Sequence, residues 1–123
     1  MTIDITSEKL IKDVQKEFNQ VFPFLKIEFF RKGYGYMRFI QQRQNLPSQL
    51  SIGSASRNQR EVQFEITSSM TGIELEKKFE EEFGIAVQLY RKSGNLWLEI
   101  TITDNWTMRQ QDDHGREISS IQV

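Results

Sequence analysis

The sequence predicts an α+β domain in two layers, with two helices on one face of a mainly antiparallel sheet. Three observations carry that expectation. Short stretches alternate apolar and polar residues with period two, as half-buried strands do. Two longer stretches space their apolar residues by three and four, as amphipathic helices do. The order strand, helix, strand, strand occurs twice. A chain of 123 residues suits one domain with one core, residues 1–123.

The elements follow in order. Thr2 to Thr6 alternates and reads as a strand. Ser7 or Thr6 can cap a helix over about 7–22, whose stripe is Leu10, Ile11, Val14, Phe18, Val21 and Phe22. Pro23 stops it, having no amide to donate. Residues 25–31 form a strand with Leu25, Ile27 and Phe29 on one side. Gly33 and Gly35 permit a turn, and Tyr36 to Ile40 returns as a hairpin strand. Gln41 to Arg60 is polar, contains Pro47 and reads as a flexible connection with a short strand at Leu50 to Ile52.

The second half begins with the alternating strand Glu61 to Ile66. Thr71-Gly-Ile-Glu74 is a capping box, in which hydroxyl and carboxylate each meet one free amide. Leu75, Phe79 and Phe83 form the buried stripe, and Glu74 can pair with Lys78 across one turn. Ile85 to Lys92 and Leu96 to Ile102 are strands around a tight turn at Ser93-Gly94-Asn95. Trp106 to Gln111 reads as a short helix, and 112–123 as a polar tail.

Lys12 to Phe22 matches Ile73 to Phe83, and each is followed by a break, an apolar strand and Arg-Lys. The offset is 61 residues from Phe22 to Phe83 and 60 from Arg31 to Arg91. An internal repeat of 2–40 and 61–102 follows from this pattern. Two such units suggest the ferredoxin-like plan. The stretch Phe83 to Ile100, with Thr103-Asp-Asn-Trp-Thr107, resembles an uncharacterised family of small soluble bacterial proteins, best over residues 60–110. That resemblance implies one small α+β domain and carries no activity or functional residue to transfer.

Composition narrows the function classes. There is no Cys, which excludes thiol chemistry and disulfides, and a single His, His114, argues against a triad or a multi-His metal site. No metal, cofactor or catalytic set is expected. The net charge of -1 argues against nucleic acid as a general partner. No apolar run approaches the ~20 residues of a membrane span, so a cytoplasmic protein without membrane contact is the default.

Two patterns offer binding chemistry. Lys32-Gly-Tyr-Gly-Tyr-Met-Arg-Phe39 fits the third-strand consensus of the RNA recognition motif. Tyr34, Tyr36 and Phe39 would stack on bases, and Lys32 and Arg38 would meet phosphates. The first strand brings no second stacking ring, and no amphipathic helix follows the motif. Aromatic packing in a hairpin therefore explains the pattern better. Arg31-Lys32 and Arg91-Lys92 stand at matching hairpin ends, where they would flank an anion site or serve as solvated charges. Glu80-Glu-Glu82 reads as a solvated helix face and Asp112-Asp113-His114 as loop. One cleft holding Glu28 and Glu99 would favour an enzyme. The leading expectation is a non-enzymatic domain that binds a protein or small ligand, self-association through a sheet edge or face included. Single-stranded nucleic-acid binding through 32–39 is the alternative.

Overall fold

The computed structural model describes residues 2–31, 44–56 and 61–120. Within them the chain runs β1 (Ile3–Thr6), α1 (Ile11–Val21), β2 (Leu25–Phe30), α2 (Ile52–Ala55), β3 (Gln63–Ile66), α3 (Gly72–Phe83), β4 (Ala86–Ser93), β5 (Leu96–Glu99) and α4 (Met108–Ser120). The α+β class holds.

The described strands form two antiparallel sheets, where the sequence suggested one. One sheet is β1-β3 and the other is β2-β4-β5. The reason lies in β1 and β3 themselves. Each is four residues long with one apolar side, and they pair Ile3↔Ile66 and Ile5↔Phe64. That pairing places four buried side chains on one face and leaves Asp4, Gln63 and Glu65 outside. In the other sheet β2 and β4 pair from Leu25↔Arg91 to Phe30↔Ala86.

One core joins both sheets. Phe18, Phe22, Phe79 and Phe83, the expected helix stripe, are all buried. The Phe79 ring lies 5.2 Å from Phe29 of β2 and 5.2 Å from Phe64 of β3, tilted edge-on to each. Such pairs add ~0.5–1.5 kcal/mol beyond burial.

The helix starts follow a rule the sequence did not reveal. α1 begins at Ile11, not residue 7, and Leu10 at its N-cap brings no capping side chain. Its first amides instead bond to Leu50 O and Ser48 O, while Ile52 and Gly53 at the start of α2 bond to Lys9 O and Ser7 O. The same four-bond clasp recurs between α3 and α4. Gly72 and Ile73 amides donate to Trp106 O and Asp104 O, and Met108 and Arg109 amides donate to Met70 O and Ser68 O. An isolated bridge lies at the centre of each clasp, Leu10↔Ser51 and Thr71↔Thr107. Each of these helix starts thereby satisfies amides that would otherwise need water or a ligand.

The Thr71–Glu74 capping box forms, and Gly84 ends α3 with φ 66. Glu74 is held by the Thr71 amide and hydroxyl, so Lys78 pairs with Glu82, 3.9 Å away, instead of Glu74. Residues 112–114 are not loop but part of α4. Thr107 and Gln110 cap that helix as Thr71 and Glu74 cap α3. Asp112 accepts the Phe24 amide at 2.8 Å, which pins α4 to the start of β2. Burial of Asp112 raises its pKa, against the lowering effects of that bond and of Arg116. Gly115 lets the helix approach Phe24 and β4, since a Cβ there would stand 2.8 Å from Phe24 Cβ.

Candidate interaction edge on the three-stranded sheet

Of the residues singled out from sequence, Lys32, Tyr34, Tyr36, Arg38 and Phe39 lie outside the described residues. Arg31 is exposed, and its amide donates to Gln44 O at 3.1 Å. The β2–β4 register puts Arg91 opposite Leu25, while Arg31 follows Phe30 at the other end of the ladder. At ~3.4 Å per residue the two arginines are about 20 Å apart. They cannot share one anion. Antiparallel pairing of two similar strands sends their equivalent residues to opposite ends.

Arg91 is tied to α4. Its guanidinium donates to Gln111 Oε1 at 2.7 Å and to Thr103 Oγ1 at 3.3 Å. Gln111 is fully buried and donates in turn to Thr103 Oγ1 at 3.0 Å. Partial burial lowers the Arg91 pKa, though an arginine so placed stays charged at neutral pH. The backbone amide of Lys92 donates to Phe24 O, and its ammonium lies 6.0 Å from the Trp97 ring.

Alternation along the strands sorts the sheet into two faces. Leu25, Ile27, Phe29 and Leu89 turn into the core. The opposite face carries Lys26, Glu28, Tyr90, Lys92, Trp97 and Glu99. There the Lys26 ammonium sits 5.1 Å from the Tyr90 ring and 5.3 Å from Trp97, and 3.9 Å from Glu28. Glu28 and Glu99 share this face but stand on strands separated by β4, about 10 Å apart across the sheet before any offset along it. They do not meet in one cleft.

The two edges of the sheet differ. On β2, the side-chain amides of Gln15 and Asn19 donate to Ile27 O at 3.1 Å and Leu25 O at 2.9 Å. Leu46 covers Phe29 O at 2.9 Å. Every outward carbonyl from Leu25 to Phe29 is met. On β5, the Ile100 amide donates to Leu89 O, so 91/98 and 93/96 are the hydrogen-bonded pairs of the ladder. Trp97 therefore turns its N–H and C=O outward, and no described residue bonds to either. The strand contains no Lys or Pro, and of the usual protections of an edge it has its four-residue length and Glu99. Leu96 is 66% exposed, Leu98 47% and Ile102 92%. Leu96 and Leu98 share one side of β5. The sequence marked this strand by its alternation, but the solvent exposure of its apolar side depends on which elements pack nearby.

Two open clefts of about 340 and 260 Å³ lie at the β1–β3 ribbon, the first lined by Thr6, Ser7, Glu8 and Glu61, the second by Asp4, Lys9 and Glu17. In the second, the Lys9 ammonium is already engaged by Glu17 and by the Asp4 carbonyl. Among the described residues no cluster of His, Asp and Glu could hold a metal, and no helix is long and apolar enough to cross a membrane. No family model, curated protein or solved structure matches the chain.

Proposed function

We propose that the protein is a non-enzymatic interaction domain that receives an extended strand of another protein chain along the outer edge of β5. The observation that carries this reading is the contrast between the two edges of one sheet. The outward carbonyls of β2 are capped by side-chain amides and by the 44–46 segment alongside it, whereas β5 joins the outward groups of Trp97 to exposed Leu96 and Leu98. Strand addition uses those two features together: backbone bonds supply affinity and alternate side chains supply specificity.

The chain also reads as two copies of one unit, in the ferredoxin-like manner suggested by its repeat. The recurring clasp supports this, as does a strand register with two-fold character: Ile27 pairs with Leu89 and Phe29 with Val87, where Val87 and Leu89 are the counterparts of Ile27 and Phe29 in the repeat.

The interaction reading is tested by replacing Leu96 and Leu98 together with Lys. Wild-type protein immobilised on beads should retain partner chains from a cell extract, and the double variant, folded by circular dichroism, should lose them. Identical retention by both would refute the edge as the contact.

A further inference from the structure

Resting on that reading, we infer that the chain paired along β5 is a second copy of this protein, antiparallel, with the two-fold axis passing through Trp97. The edge is its own complement. Reversal about Trp97 sets its outward N–H and C=O against the same groups of the second copy, the arrangement of a hydrogen-bonded antiparallel pair. Same-face alignment follows without adjustment. Leu96 of one copy meets Leu98 of the other, twice, and the exposed apolar side is covered by its own kind. Charges also fit. Glu99 falls beside the turn residue Asn95 of the second copy and not beside its own counterpart, and Lys92 stays one strand behind, opposite Trp97. The three-stranded sheet becomes continuous across the two copies.

A four-residue edge buries much less than the ~800 Å² per partner of a standard interface. The dimer is accordingly weak, with a dissociation constant on the order of 0.1 mM.

The chain contains no Cys, so single cysteines report the register cleanly. Trp97→Cys brings two thiols to the axis at a Cα separation of ~5.5 Å, within the disulfide range. Under mild oxidation it should crosslink much faster than Leu96→Cys or Ile73→Cys, the latter an exposed position on α3. A second measurement does not depend on replacing Trp97. Leu96→Lys and Leu98→Glu should each abolish the concentration-dependent dimer in sedimentation equilibrium. An equimolar mixture of the two should restore it, because Lys then faces Glu across the axis. Wild-type protein monomeric up to about ten times that constant would overturn the inference, as would crosslinking at Trp97→Cys no faster than at Ile73→Cys. Failure here with retention of other chains by wild-type beads alone would leave the edge reading standing and remove only the second copy.

Discussion

Gly115→Ala sets two effects of opposite sign against each other. In an exposed helix the change gains about 1 kcal/mol of propensity. At this position the added methyl would stand 2.8 Å from Phe24 Cβ, 3.1 Å from Arg91 Cγ and 3.3 Å from Lys92 O. The first contact is shorter than carbon atoms accept, and Phe24 has little room to retreat. Its amide is held by Asp112 and its carbonyl by the Lys92 amide. Overpacking of this kind costs ~1–3 kcal/mol. At 2.8 Å from a Cβ whose backbone is held on both sides the cost lies in the upper part of that range, about 2–3 kcal/mol, so the clash wins with a net loss of about 1–2 kcal/mol after the propensity gain. Thermal unfolding followed by circular dichroism should show a melting temperature lower by roughly 3–8 °C. Glu117→Ala, on the exposed side of the same helix, should move it little. A Gly115→Ala protein as stable as wild type, or more so, would refute the close docking of α4 on β4.

Two further outcomes follow from the packing. Phe79→Ala removes the ring that touches both Phe29 and Phe64 and should cost ~3–5 kcal/mol in urea unfolding; a loss under about 1 kcal/mol would refute a core shared by the two sheets. Asp112 has its pKa raised above the ordinary 3.8 by burial, so the folded protein keeps that proton to higher pH than the unfolded chain. The stability it contributes is full below the ordinary value and is lost as pH rises through the raised one. Asp112→Asn keeps an oxygen for the Phe24 amide and removes the titration. Its stability relative to wild type should therefore rise with pH above 3.8; a flat or falling difference would contradict the sign.

What could be read from the residues alone was local. The Thr71 capping box, the stop at Gly84 and the turn at Gly94 depend on side chains or backbone freedom within a few positions. The Phe stripes needed only helical spacing. α1 starts later than its apolar stripe suggests because its start is set by carbonyls 36 or more residues away, at Ser48 and Leu50. The full length of α4 is hidden in the sequence because its middle, Asp112-Asp113-His114-Gly115-Arg116, is polar and contains Gly. Its docking comes from Gln111, Asp112 and Gly115 against Phe24, which precedes β2, and Arg91 and Lys92 of β4. The signal that would have found it was Thr107-Met-Arg-Gln110, the same box as at Thr71. Separation into two sheets was hidden because either partner choice satisfies the same alternation. In the sequence Arg91 and Lys92 are two adjacent charges; in the fold Arg91 ties a helix and Lys92 lies beside Trp97. Alternation marks Leu96 and Leu98 only as strand residues. Their exposure depends on what the rest of the chain leaves uncovered.

Amide hydrogen exchange along β5, resolved residue by residue by NMR in dilute and concentrated samples, tests the open edge most directly. The Leu96 and Leu98 amides face β4 and should exchange slowly in both. The Trp97 amide faces outward and should exchange fast in the dilute sample. In the concentrated sample it should become protected as β5 acquires its partner. Protection of Trp97 equal to that of Leu98 in the dilute monomer would mean that the chain already covers its own edge and would contradict the account.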